Sequence, residues 1–270
     1  MNLTDSQIER YSRHIILKEI GGEGQKKILN TKVVIIGAGG LGSPAAYYLA
    51  AAGVGKIGIV DSDRADLSNL QRQILHFTKD VGRLKTESAQ EKLTAINPDC
   101  EVVPHTTRLN AKNVLDIIGE YDAVINGSDN FPTRYLINDA CIISKTLLFE
   151  GAVIGFSGQA ITIKPHESAC YRCLYEEPPP PGLIPSCQEA GVMGAIPGVI
   201  GIIQATEVIK WILGKGSLLT DRLLIYNGLE MEFNELEISR NPQCPVCGDN
   251  PSIKGLREDN YQVDQVCERR

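Results

Sequence analysis

Short apolar runs alternate with amphipathic stretches through the first half of the chain. Ile8, Tyr11 and Ile15 follow a helical stripe behind Thr4, and Gln7 three residues on completes a capping-box pattern. Lys32-Val33-Val34-Ile35-Ile36 then reads as a strand and is followed by a glycine-rich loop. An alanine-rich helix runs to about Ala52, and Lys56-Ile57-Gly58-Ile59-Val60 forms a second strand ending at Asp61. Strands that are apolar throughout belong in a parallel sheet covered on both faces, so this segment is read as a βαβ unit. The alternation continues with a helix from Lys85 to Ile96, a strand at Glu101-Val102-Val103 and a helix from Asn110 to Ile118. A strand from Asp122 to Asn126, a helix opened by Asn130 and reaching about Ser144, and a strand starting at Leu147 complete this half.

Beyond Gly151 the pattern changes. Ser157 to Ile163 alternates, which predicts antiparallel pairing. Glu176 to Gly182 contains Pro178, Pro179, Pro180 and Pro181 and is expected to be an extended loop. Val192 to Ile203 is apolar around Pro197, and polarity returns at Gln204, Glu207 and Lys210. That run falls short of the ~20 residues a membrane span needs, so it is read as a buried core helix and no membrane partner is expected. From Lys254 onward the chain is polar and reads as a tail. These elements predict an α/β fold: a Rossmann-like, mostly parallel sheet with helices on both faces, extended by antiparallel strands. The expected organisation is a single domain over residues 1–252, with a nucleotide-binding half at about 30–150, a second half at about 151–252, and a polar tail at 253–270.

Charge narrows the partners. With 27 Lys plus Arg against 33 Asp plus Glu, the net charge is −6, so the chain lacks a global basic field and no nucleic-acid partner is expected. Met1-Asn2-Leu3-Thr4-Asp5 has no signal-peptide pattern, which points to the cytoplasm and to reduced thiols for the eight cysteines. Cys170-Tyr171-Arg172-Cys173 and Cys244-Pro245-Val246-Cys247 are two C-x-x-C knuckles. Together they predict a closed tetrahedral zinc site, structural because no coordination position is left open. Cys141 is read as a core residue, whereas Cys100 and Cys267 have no informative context. Cys187, just after the proline loop, is either a nucleophile or an idle loop thiol.

Gly37, Gly39 and Gly42 fit G-x-G-x-x-G, with Asp61 at the end of the next strand. Such a loop lets backbone approach a ligand and presents helix N-terminal amides to phosphate, while the acid can accept from ribose hydroxyls. The default ligand is NAD, and an NAD-dependent oxidoreductase is the alternative of a different class. The long polar connection from Asp63 to Gln73 argues for a triphosphate instead, because it brings Arg72 near the loop and Lys85 follows. In Gly127-Ser128-Asp129-Asn130, at the carboxyl end of a parallel strand, Asp129 can hold Mg²⁺ or cap the next helix, and Asn130 can cap it too.

With these residues assembled, the chain resembles the ThiF/MoeB/HesA family, bacterial relatives of ubiquitin-activating enzymes. The resemblance covers about residues 4–250. It rests on Arg10-Tyr11-Ser12-Arg13, the run from Gly37 through Gly40 to Gly42, Leu67-Ser68-Asn69-Leu70-Gln71-Arg72-Gln73, Ser128-Asp129-Asn130, both C-x-x-C pairs and Cys187-Gln188-Glu189-Ala190-Gly191. It implies Mg-ATP-dependent adenylylation of the C-terminal glycine of a ubiquitin-like sulfur-carrier protein with a Gly-Gly end, releasing pyrophosphate. Gly40, Asp61, Ser68, Asn69, Leu70, Gln71, Arg72, Lys85, Asp129 and Asn130 match the family's ATP contacts, with Asp129 as the Mg²⁺ ligand. Arg13 matches an arginine that reaches ATP across a homodimer interface, and Cys187 matches a cysteine that in some members links covalently to the carrier and in others is dispensable. Pro178 to Pro181 lies where the family's crossover loop covers the carrier tail. The expected pathway is molybdopterin biosynthesis, with thiamine thiazole formation or tRNA thiolation as alternatives. A separate sulfur donor, such as a rhodanese or cysteine desulfurase, is expected.

Overall fold

The computed structural model describes residues 3–179 and 190–261. β1 (Lys32–Ile36) lies between β2 (Lys56–Val60) and β4 (Ala123–Asn126), parallel to both. β3 (Glu101–His105) extends the parallel sheet beyond β2, and β5 (Leu147–Ile154) extends it beyond β4. Pairing turns antiparallel through β6 (Ser157–Ile163), β7 (Arg222–Asn227) and β8 (Glu232–Glu237). The order is therefore β3-β2-β1-β4-β5-β6-β7-β8.

Both faces of the parallel part are covered, which is why its strands can be apolar at every position. Val33 and Ile35 of β1 pack with residues of α3 (Gly21–Asn30), α4 (Gly42–Ala52) and α5 (Lys85–Ile96), among them Ile28, Leu49 and Leu93. Val34 and Ile36 point the other way, toward Val114 and Ile118 of α6 (Val114–Ile118) and Tyr135 and Ile137 of α7 (Phe131–Ser144). The N-terminal segment forms α1 (Asp5–Arg10) and α2 (Ser12–Ile15), and the Thr4–Gln7 capping box is present. Asn110 caps the turn that precedes α6, accepting from the N–H groups of Lys112 and Asn113.

The apolar run from Val192 to Ile203 enters a helix only at Ala195, and that helix continues well past Ile203. α8 (Tyr171–Leu174) is a single turn, and α9 (Ala195–Leu213) runs for 19 residues with a mean hydropathy of 1.5. Length and composition alone would let α9 cross a membrane, but its packing is that of a core helix. Ile200, Gln204, Ala205, Glu207 and Val208 are buried, and the polar ones are tied into the sheet. Gln204 donates to the carbonyls of Asn126 and Phe149, and Glu207 accepts from the Thr162 hydroxyl and the Leu219 N–H.

The expected antiparallel extension is present, and two further points concern the C-terminal part. β7 and β8 were not located within it from the sequence; all six residues of β8 are exposed and no apolar alternation marks it. The Asn227-Gly228 pair behind Leu223 to Tyr226 was the available hairpin signal. The segment after 252 begins as docked chain and not as a free tail. Ile253 and Leu256 pack on the core, and Tyr261 is buried with its hydroxyl donating to Asp139 at 3.0 Å.

Candidate active site and metal centre

The chain leaves β1 toward β2 on one side and returns to β4 on the other, so the carboxyl ends of β1 and β4 flank a topological switch point. Here Gly37, at φ +94°, passes so close to the neighbouring loop that a Cβ would lie 2.9 Å from the Gly127 carbonyl oxygen. A cavity of about 370 Å³ opens at this edge, a size suited to a small-molecule ligand. Gly39, Gly40, Asp61, Arg72, Lys85 and Asp129 are among its walls.

The walls are held from behind. Asp61 accepts the Ala38 N–H at 2.9 Å and the Asp63 N–H at 2.8 Å, which pins the glycine loop to the end of β2. Burial raises the Asp61 pKa, against the lowering effect of the Lys85 charge and the two amide hydrogen bonds. Lys85, at the start of α5, reaches Asp63 at 3.3 Å. The Arg72 guanidinium donates to the Ser68 carbonyl at 3.1 Å from a short helical turn, Leu67–Asn69, that Asp66 caps. Asn130 caps α7 by accepting the Thr133 N–H at 3.0 Å, leaving Asp129 exposed at the mouth. Beneath them Arg134 is buried, pairing with Glu150 and donating to the carbonyls of Ser128 at 2.7 Å and Gly151 at 2.8 Å. Burial raises the Glu150 pKa, opposed by the Arg134 charge and the Asn126 amide.

The structure thus gathers Gly37, Gly39, Gly40, Asp61, Arg72, Lys85, Asp129 and Asn130 around one cavity. The other expected contacts are placed elsewhere. Ser68, Asn69, Leu70 and Gln71 are not among the wall residues; they form the turn that carries Arg72. Gly42 is a packing residue, since a Cβ on it would sit 1.9 Å from the Gly37 carbonyl oxygen. Arg13 is exposed on α2 and is not among the cavity walls, and Cys187 lies outside the described residues. Sequence reasoning left out Gln73 and Ser128. Both line the cavity, and the Gln73 Oε1 and Ser128 Oγ atoms are buried without a partner among the described residues. Beside a cavity, a bound ligand or an ordered water can supply the missing hydrogen bond to such a group. Thr107 and Arg108, just past β3, were also missed, although the end of a parallel strand is itself a signal.

The four knuckle cysteines do converge. Their Sγ atoms all lie within 4.8 Å of one another, with Cys170–Cys244 at 3.6 Å, Cys173–Cys247 at 3.4 Å and Cys170–Cys173 at 3.8 Å. A tetrahedral zinc with ~2.3 Å bonds requires sulfur–sulfur edges of about 3.8 Å, so the donor set fits that ion. The Asn241 N–H supports Cys173 from outside at 3.3 Å. Arg172, between the first two cysteines, grips Asp139 with two hydrogen bonds of 2.8 and 2.9 Å and also donates to the Glu176 carbonyl. None of the four lines the cavity, in keeping with a structural metal. Cys141 is fully buried in the core, and burial also pushes the Cys100 thiol up to about 12, which leaves it inert.

Comparison with known proteins places this arrangement. The ThiF family matches residues 11–246. The chain is 47% identical over 261 residues to the sulfur carrier protein adenylyltransferase of Thermus thermophilus, covering 95% of this chain and 96% of that one. It is 48% identical to the SAMP-activating enzyme E1 of Haloferax volcanii, covering 97% of this chain and 96% of that one. A crystal structure of E. coli MccB with AMPCPP and MccA superposes with a TM-score of 0.79 at 25% identity, over 92% of this chain and 76% of that one. These relatives decide against the nicotinamide alternative that the glycine fingerprint alone allowed. The chain belongs to the ThiF family, and it is an adenylyltransferase.

Proposed function

We propose that the chain adenylylates the C-terminal glycine of a ubiquitin-like sulfur carrier ending in Gly-Gly. One observation carries the reading. A glycine loop, the cations Arg72 and Lys85 and the exposed acid Asp129 meet in a single cavity, in a chain 47% identical to a sulfur carrier protein adenylyltransferase. The carrier's terminal carboxylate is ionised at pH 7 and needs no general base. Its oxygen bonds to the α-phosphorus of ATP while the bond from that phosphorus to the bridging oxygen breaks. An acyl adenylate forms, and pyrophosphate leaves with the electron pair. Arg72 and Lys85 oppose the charge that gathers on the phosphate oxygens. Each Asp61 oxygen accepts one amide and keeps a lone pair for a ribose hydroxyl. Asp129 is the hard oxygen donor for Mg²⁺, which supplies further positive charge to the phosphates when bound.

In the assembled enzyme the partner subunit of a homodimer contributes Arg13, whose exposure on α2 leaves it free to reach outward. Zinc fills the cysteine cluster. Sulfur comes from a separate rhodanese or cysteine desulfurase, and the pathway is molybdopterin biosynthesis in the cytoplasm. The test is ATP–pyrophosphate exchange with Mg²⁺ and three Gly-Gly carriers, one each from molybdopterin synthesis, thiazole synthesis and tRNA thiolation. Exchange driven by the first carrier is the expected result. A preference for another moves the enzyme to that pathway, and no exchange with any of them removes the adenylylation reading.

A further inference from the structure

His76 is 3% exposed and has no part in the chemistry above. Its Nε2 lies 2.9 Å from the Ala38 carbonyl oxygen and its Nδ1 lies 2.9 Å from Ser88 Oγ. A carbonyl oxygen can only accept, so Nε2 carries the proton and Nδ1 accepts from the serine hydroxyl. Ser88 in turn accepts from Lys92 Nζ at 2.8 Å, and Lys92 also pairs with the buried Asp80. Donors therefore run in one direction, from Lys92 through Ser88 and His76 to Ala38.

Ala38 is the second residue of the glycine fingerprint, and it is held at both ends. Its N–H goes to Asp61 and its carbonyl to His76. The Ala38–Gly39 peptide is trans, so the Gly39 N–H must point away from the carbonyl that His76 grips. Among the described residues the N–H groups of Gly39, Gly40 and Leu41 have no acceptor, and all three residues line the cavity.

We propose that His76 is a positioning residue for the nucleotide phosphates, aiming the Gly39 N–H into the cavity through its hold on the Ala38 carbonyl. The inference rests on the ATP-binding reading given above. Nδ1 can accept from Ser88 only in the neutral ring, and the surroundings of His76 favour that form. Burial pushes the imidazole below its usual range and outweighs the hydrogen bond to Ala38; Lys85 and Lys92 face the ring as cations and Asp61 as an acid.

The test is equilibrium binding of ATP and of adenosine to the full chain and its variants. His76→Leu should weaken ATP by about tenfold or more while adenosine shifts by less than about twofold, because only the phosphates meet the Gly39 amide. His76→Gln, whose amide N–H can reach the same carbonyl, should recover most of the ATP affinity. His76→Asn places its amide at the Nδ1 position, short of Ala38, and should not. If the leucine variant fails to fold, the Gln–Asn contrast decides the question alone. Equal losses for ATP and adenosine, or equal ATP affinity in Gln and Asn variants, overturn the proposal. Wild-type protein that binds no ATP would instead remove the functional reading, and this inference with it.

Discussion

Gly39 and Gly42 belong to one fingerprint and serve it differently. A Cβ on Gly39 would meet nothing nearer than the Gln73 amide at 3.7 Å, whereas on Gly42 it would lie 1.9 Å from the Gly37 carbonyl oxygen. Gly42→Ala should therefore disturb the loop and the start of α4, lowering stability by about 2 kcal/mol or more in denaturant unfolding. Gly39→Ala should keep the wild-type unfolding midpoint and show any loss only in ATP affinity. Matching midpoints for the two variants would refute this division of labour. At this scale the sequence was legible wherever residue type and spacing carry the chemistry. The glycines, Asp61, Arg72, Lys85 and both cysteine knuckles announce themselves locally. His76 and Arg134 do not, because their roles depend on partners such as Ala38, Ser128 and Glu150 that only the folded chain brings near.

Among elements, the parallel strands and their covering helices were readable because burial on two faces writes an uninterrupted apolar run. β8 was not, since an edge strand exposed at every position has nothing apolar to write. The two cysteine knuckles join elements that no strand pairing links. α8 carries one and the turn after β8 the other, and Arg172 and Asp139 fasten that joint to α7. Elemental analysis should find one zinc per chain, and Cys173→Ser should lose it. Stripping the metal should lower the thermal midpoint and loosen proteolytic sites around 170–176 and 240–248 before those in β1 to β4, because ligand binding and local folding share one free energy. A purified chain without zinc and with an unchanged midpoint would show that the cluster needs no metal.

For the whole molecule, the docked segment after 252 closes the fold against α7. Tyr261 contributes a buried ring and a hydrogen bond to Asp139, the same carboxylate that Arg172 grips. Tyr261→Phe should cost about 1–2 kcal/mol, and ending the chain at 252 should cost more, about 3 kcal/mol or beyond, as Ile253 and Leu256 leave the core as well. Urea unfolding ranks the two, and a shortened chain as stable as the full one would return this segment to the status of a tail.

The nucleotide cavity has a back wall from the first half of the chain and a front wall from the second. Val153, Val192 and Pro197 complete it, and the Pro197 ring sits so near Gly40 that a methyl group there would come within 3.1 Å. The fingerprint is thus not a portable cassette. A chimera that takes residues 30–150 from one relative and the remainder from another inherits a seam through the middle of its own active site. A substitution on one side of that seam alters the space the other side must fill, so the two halves have to match each other although each reads as a recognisable unit.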